Sequence, residues 1–308
     1  MINLLGLDQD FLSKMQIVDW SYTEEDTPRT LDFYHKWVNE GFHGSLGYLS
    51  DHRKELRSSI KNFYPEFQSA LVFLFDYTPS AKNNIENKDH HFAAYTKGFD
   101  GMDYHYWIKD KLEQIKIKLD IEHCIFSIDA QPVLERDLAQ RAGLGWFGKN
   151  SMLINKKHGS YFIISSIFLD KKLPLGPKQI ELDHCGTCTR CIDACPTNAI
   201  LDHRQIDASK CISTFTIEQF KDDVEPPEGY PTERGEIFGC DICQDICPWN
   251  SKPLLRSKLG SFAEFEKIFK NIDLENISNR EFKRVFKGTS LERTGRVGIL
   301  KNIKYLPR

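Results

Sequence analysis

Eight cysteines between Cys185 and Cys247 constrain this chain more than any other feature. Cys185, Cys188, Cys191 and Cys195-Pro196 form a C-x2-C-x2-C-x3-C-P run, Cys240, Cys243 and Cys247-Pro248 repeat it in shorter form, and Cys211 lies between. Cubane 4Fe-4S clusters need four thiolates each, and in two-cluster ferredoxins the Cys before Pro crosses over to the other cluster. The pattern therefore predicts two clusters, one on Cys185, Cys188, Cys191 and Cys247, the other on Cys211, Cys240, Cys243 and Cys195. Cys211 then takes the place of the first Cys of the second run. Structural zinc also uses C-x2-C pairs, but it does not ask for the C-P ending that occurs in both runs. A disulfide framework belongs mainly to small secreted domains. This chain has 308 residues, and Met1 to Trp20 shows no basic n-region, no apolar h-region and no twin-Arg pair, so a reducing cytoplasm is expected.

Composition narrows the setting. With 40% hydrophobic and 28% charged residues the chain reads as soluble and globular. Its longest apolar runs, Leu71 to Phe75 and Tyr161 to Leu169, fall far short of the roughly 18 residues of a spanning helix, so no membrane is expected. A net charge of -3 gives no global positive field, so a nucleic acid would need a local patch. One such run exists: Arg280, Lys283, Arg284, Lys287, Arg293, Arg296, Lys301, Lys304 and Arg308 face only Glu281 and Glu292. A solvated basic helix explains that run equally well.

Periodicity supplies the elements. Leu31 to Asn39 and Met102 to Leu119 read as amphipathic helices, the second through Tyr104, Trp107, Ile108, Leu112 and Ile115. Ser69 to Tyr77 reads as a buried strand, Ser80 to His91 as a polar loop, and Cys124 to Ile128 as a short strand ended by Asp129. Pro132 is expected to open a helix that carries Leu134, Leu138 and Ala142 and stops at Gly143. Asp129 thus falls in a strand-to-helix crossing, where open α/β sheets commonly keep their chemistry. Ser151 to Asn155 and Tyr161 to Leu169 are expected to form a hairpin, and Ser261 to Phe269 and Asn279 to Lys287 to be helical. The fold class is α/β: an α/β domain over residues 1–176, a bacterial-type two-cluster ferredoxin-like domain over 177–252, and a short helical, basic C-terminal segment over 253–308.

Four stretches carry a resemblance. The segment DAQPVLERDLAQRAGLGWFGKN (Asp129 to Asn150), with Gly101-Met102-Asp103-Tyr104-His105 upstream, is followed by CISTFTIE (Cys211 to Glu218) and GCDICQDICPWN (Gly239 to Asn250). Together they resemble the epoxyqueuosine reductases, over roughly Arg57 to Asn250. The resemblance implies reduction of the epoxide of epoxyqueuosine at the tRNA wobble position, with base-off cobalamin beside two 4Fe-4S clusters and a low-potential electron donor. It also implies that Asp129 is the proton donor and that Arg57, Tyr104, Lys149, Asn150, Ser213 and Asp241, with Asp129, line the corrinoid. The first 176 residues would then be a cobalamin-binding domain. A D-x-H-x-x-G signature for a lower His ligand is absent, in agreement with that picture.

Each of these residues also has a plainer reading. Asp129 would cap a helix, Tyr104 would pack in the core, and Arg57 would lie on a solvated basic face. Lys149 and Asn150 would be solvated after a Gly-rich turn, and Ser213 and Asp241 would bond local backbone. Two other functions fit the cofactor set: a ferredoxin-type electron carrier, and a reductive dehalogenase, which usually has a twin-Arg leader. In the epoxide reaction an acid must protonate the leaving oxygen. An Asp titrates near 4 when unperturbed, so desolvation would have to raise it against the pull of a helix N-terminus.

Overall fold

A computed structural model describes residues 6–77, 90–220, 224–251 and 272–307. A short helix α1 (Gln9–Lys14) leads into β1 (Ile17–Thr23), α2 (Leu31–Asn39), α3 (Arg53–Leu56), β2 (Ser69–Asp76) and β3 (His91–Phe92). Then come α4 (Tyr104–Lys118), β4 (Cys124–Ser127), α5 (Glu135–Arg141), β5 (Trp146–Phe147), β6 (Leu153–Ile154) and β7 (Phe162–Leu169).

β2 is the keel. All eight of its residues are buried, and because side chains alternate along a strand, it feeds two cores. Leu71, Phe73 and Phe75 pack with Ile108, Leu112 and Ile115 of α4, while Ala70, Val72 and Leu74 pack with Leu138 and Ala139 of α5 and Ala142 at its C-terminal cap. A strand apolar on both faces needs cover on both, and the two helices give a helix–sheet–helix sandwich. Fully burying each large apolar side chain contributes about 1.5–3 kcal/mol. The sheet order is β1-β2-β7-β4, and every ladder in it is antiparallel. β7 enters between β2 and β4, which therefore run the same way without touching.

Two local expectations fail. Ser151 to Asn155 does not form a hairpin with the following strand; Leu153–Ile154 pairs with Trp146–Phe147, and β7 pairs along its length with β2 and also with β4. Asn155 accounts for this: its Oδ1 accepts from the Lys157 and His158 N–H groups at 2.9 and 3.1 Å, closing a tight turn to Gly159 that leaves β7 free for longer partners. The helix after Asp129 starts at Glu135, not at Pro132. Pro132 belongs instead to a bent loop whose residues form the wall of a cleft.

The cysteine-rich and C-terminal segments are laced to the sheet domain. β3 pairs in parallel with β8 (Glu236–Phe238). The helix Asn279–Val285 is capped by the Ser278 hydroxyl, which accepts from Glu281 N–H at 3.2 Å, and it ends two residues short of the expected Lys287. The next helix, Leu291–Ile303, places Leu291, Ile299 and Ile303 with Phe282 and Phe286 against Phe92, Ile237 and Phe238. Asn302, wholly buried, donates to the carbonyls of Thr216 and Ile237 at 2.8 and 2.7 Å. The expected helix Ser261–Phe269, the boundary at 252–253 and nearly all of the expected loop Ser80–His91 lie outside the described residues. Among the described residues no helix is long and apolar enough to cross a membrane.

Candidate functional site: a cleft with Cys211 in its wall

Asp129 lies just past β4 with φ +55°, a left-handed conformation that Asp and Asn tolerate better than other non-glycine residues. Its Oδ2 accepts from the Tyr104 hydroxyl at 2.8 Å. Its backbone N–H donates to Glu135 Oε1 at 3.0 Å, and the same oxygen accepts from the Ser127 hydroxyl at 2.7 Å. Burial pushes the Tyr104 phenol far above its ordinary range, and the Asp129 carboxyl adds to the push. Burial also raises the Glu135 carboxyl, again helped by Asp129. The plain reading of Tyr104 is thus half right: its ring is in the core and its hydroxyl is in the site.

These groups open onto a cleft of about 930 Å³, near the upper end of ordinary ligand pockets. Tyr34 and Trp37 of α2, with Tyr48, Arg53 and Arg57, form one wall; the loop from Asp129 to Glu135 forms another; Cys211, Glu218 and Arg293 close the third. Arg57 is buried rather than solvated, and its guanidinium donates to Tyr48 O at 3.0 Å. Arg293 reaches both Glu218 oxygens at 2.9 and 2.7 Å.

Of the residues expected around a corrinoid, Arg57, Tyr104 and Asp129 line this cleft, whereas Lys149, Asn150, Ser213 and Asp241 are not among its lining residues. Those four belong with the thiol loops. Lys149 Nζ donates to Gly186 O at 2.8 Å, and Asn150 Nδ2 to Cys243 O at 3.2 Å. Asp241 accepts from the Ala94 N–H at 2.5 Å, and burial pushes its carboxyl up to about 7. Ser213 bonds the Cys211 thiol. Sequence reasoning missed Glu135, Tyr48, Arg53, Trp146 and the Arg293–Glu218 pair. Glu135 and Trp146 lie in the quoted Asp129 to Asn150 stretch, Glu218 ends the quoted CISTFTIE stretch and Arg293 belongs to the basic run, whereas Tyr48 and Arg53 lie in none of them.

The thiols fall into two groups. Cys191 feels Cys247 and Cys185, and Cys247 feels Cys185 and Cys188. Cys211 feels Cys195, Cys240 feels Cys211, and Cys243 feels Cys240 and Cys211, with Cys191 farther along. Burial raises Cys191, Cys211, Cys240, Cys243 and Cys247; iron ligation, which requires thiolates, offsets that cost. Among the described residues no three His, Cys, Asp or Glu side chains close on a single metal ion. A cube with one thiolate per iron corner asks for a wider spread than that. Trp146, only 1% exposed, packs with Cys247 and Cys185, and its indole N–H has no hydrogen-bond partner among the described residues. An unpaired buried donor costs about 1–3 kcal/mol, and sulfur of a cluster held between those thiols would accept from it. The residues present therefore fit the clusters.

The C-terminal basic run divides in two. Arg296 donates to Ile277 O at 2.5 Å, and Lys301 to Phe215 O and Gln219 O at 2.6 and 3.0 Å, so these two work as internal braces. Arg280, Lys283, Arg284, Lys287 and Lys304 are exposed, Arg293 is exposed but paired with Glu218, and Arg308 lies outside the described residues.

Comparison with known proteins agrees with this geometry. The family described as a 4Fe-4S double cluster binding domain matches residues 184–250, and that described as Epoxyqueuosine reductase QueG, DUF1730, matches residues 57–130. An epoxyqueuosine reductase of Cyclobacterium marinum is 36% identical over 296 residues, covering 94% of this chain and 91% of that protein. One of Leadbetterella byssophila is 39% identical over 290 residues, covering 92% and 90%. A solved epoxyqueuosine reductase with an epoxyqueuosine-modified tRNA stem loop superposes with a TM-score of 0.75 at 26% identity, over 96% of this chain and 78% of that one. The Streptococcus thermophilus structure, at 23% identity and a TM-score of 0.77 over 99% and 80%, shares the fold. The chain belongs to the epoxyqueuosine reductase family, and its reaction is the reduction of epoxyqueuosine in tRNA.

Proposed function

We propose that the cleft beside Asp129 seats a base-off cobalamin, that the two 4Fe-4S clusters supply its electrons, and that Asp129 protonates the epoxide oxygen. One observation carries the reading: Asp129, Tyr104, Arg57 and Cys211 border the same cleft, so an acid and a cluster ligand meet across one space. Bound there, cobalamin would supply the electron-rich centre that a weakly electrophilic epoxide carbon requires.

The chain's own residues do the rest. Both epoxide C–O bonds break, a double bond forms between the two carbons, and the oxygen leaves as water, consuming two electrons and two protons. Tyr104, its phenol held protonated, donates to Asp129 Oδ2, which leaves Oδ1 as the oxygen that would pass a proton to the epoxide. Arg57 and Tyr104 in the cleft wall would hold the corrinoid, and Lys149, Asn150, Ser213 and Asp241, set among the thiol loops, would meet it from that side. Cys211 is the single cysteine of the eight in the cleft wall among the described residues. Its cluster, on Cys195, Cys211, Cys240 and Cys243, is then the inner one. Cys185, Cys188, Cys191 and Cys247 would hold the outer cluster, the one that would supply electrons from a low-potential donor. In this division residues 1–176 would hold the cobalamin, 177–252 would carry electrons, and among the described residues of 253–308 the exposed Arg280, Lys283, Arg284 and Lys287 would meet tRNA phosphates.

The test is Asp129→Asn in anaerobic, reconstituted protein, assayed on an epoxyqueuosine stem-loop by nucleoside mass. Iron content and the cobalamin visible spectrum should match wild type while turnover falls about 10²–10⁴-fold, the range of a lost general acid. Full turnover in that variant would remove Asp129 from the mechanism, and protein that binds no cobalamin would remove the cofactor.

A further inference from the structure

The loop that carries Asp129 is held by a side chain that the known chemistry does not use. Asp129 sits at φ +55°, a conformation an L-residue adopts only at a cost and keeps only when its surroundings impose it. The following residues Gln131, Pro132 and Val133 are bent chain that lines the cleft. Glu135 is the first residue of α5, where an acidic side chain ordinarily serves its own helix N-terminus. It turns back instead: one oxygen, Oε1, accepts from both the Ser127 hydroxyl at 2.7 Å and the Asp129 N–H at 3.0 Å. The two ends of the turn, the last residue of β4 and the acid itself, are thereby tied to one atom.

We propose that Glu135 is a positioning residue for the reaction: its Oε1 clamps the turn so that the Asp129 carboxyl stays in the cleft against Tyr104. The proposal rests on the reading of Asp129 as proton donor. Its chemistry is self-consistent. Burial and the neighbouring Asp129 carboxyl raise Glu135 above the ordinary carboxylate range, so it retains a proton more readily than a free Glu. A protonated carboxyl still accepts through its carbonyl oxygen. The clamp therefore holds without setting a second full negative charge beside Asp129 once Asp129 has given up its proton.

The experiment compares Glu135→Ala, Glu135→Gln and Asp129→Asn in cluster- and cobalamin-loaded protein. Glu135→Ala should lower kcat about a hundredfold, the scale of a misplaced catalytic group, with KM for the modified stem-loop within about twofold. Glu135→Gln keeps an oxygen that accepts from both donors and should retain most of the turnover. Amide deuterium exchange of the peptide spanning Ser127 to Leu134, measured without substrate, should quicken in Glu135→Ala and stay at the wild-type rate in Glu135→Gln. Unchanged exchange, or equal loss of turnover in the Ala and Gln variants, overturns the clamp. If Glu135→Ala does not load its cofactors, Glu135→Leu keeps the bulk without the acceptor and is read in the same way. Full turnover in Asp129→Asn would instead sink the role of Asp129 while leaving the exchange result standing, so the two failures are told apart.

Discussion

Two regions meet at the cleft and are held by different forces: the sheet around β2 by apolar burial, and the seam to the thiol segment by side-chain hydrogen bonds. At the seam Asn250 Oδ1 accepts from the Ser160 N–H at 2.7 Å, while its Nδ2 donates to Ser160 Oγ and Gln244 O at 2.9 and 2.8 Å. Ser160 Oγ in turn donates to Gln244 Oε1 at 2.9 Å, and the Tyr161 hydroxyl to Asp245 at 2.5 Å. The approach is so close that a Cβ on Gly159, at φ +66°, would lie 2.1 Å from Asn250 Oδ1. Apolar burial is non-directional and tolerates small shifts, whereas a buried polar network stabilises only when every member is satisfied. The sheet supplies stability, and the seam fixes where the thiol loops stand relative to Asp129.

The sharpest way to break this contrast is to cut each region once. Phe73, wholly buried at the centre of β2, should cost about 3–5 kcal/mol as Phe73→Ala, seen as a large drop in melting temperature. Asn250→Ala strands the Ser160 N–H and should cost about 1–3 kcal/mol. Its signature differs: the far-UV circular dichroism should be unchanged while a chelator strips iron several-fold faster. Equal melting losses without faster iron release in Asn250→Ala would mean that the seam is merely more core.

The same contrast explains what could be read from the sequence. α2 has the expected bounds, and β2 and α4 differ from theirs only at the ends, because burial on a fixed face writes a period into the chain. The cysteine pattern located the double-cluster segment for a similar reason, since ligand spacing is local. Polar contacts across the seam write nothing periodic. Asn150 meets Cys243 across 93 residues and Arg293 meets Glu218 across 75, and neither contact was expected from the sequence. The late start of α5 has the same origin: Glu135 is drawn back to Asp129 and Ser127, and the chain from Gln131 to Val133 stays bent above it. Asp129 itself stood out through family resemblance, not through any spacing.

The smallest expected effect probes the edge of the seam, where β3 joins β8. Burial holds His91 down at about 4, and the nearby Lys97 and Arg234 cations push the same way, against the weaker pull of Asp245. The sign follows from proton counts. Below the ordinary His value near 6.5 the unfolded chain takes up a proton that the folded chain refuses until about pH 4. Unfolding is favoured across that window, so stability present above pH 6.5 is progressively lost as pH falls toward 4. For this half-buried ring, partly screened by solvent, the loss between pH 7 and pH 5 should be about 1 kcal/mol. Other carboxyls titrate in the lower half of that window, so the measurement is a difference: thermal loss of the visible cluster absorbance at pH 7 and pH 5, in wild type and in His91→Gln. The wild type should lose more melting temperature on acidification than the variant, because an amide in place of the imidazole takes up no proton in either the folded or the unfolded chain. Equal losses would place the acid-sensitive step elsewhere, and the β3–β8 junction would then belong with the apolar sheet rather than with the polar seam.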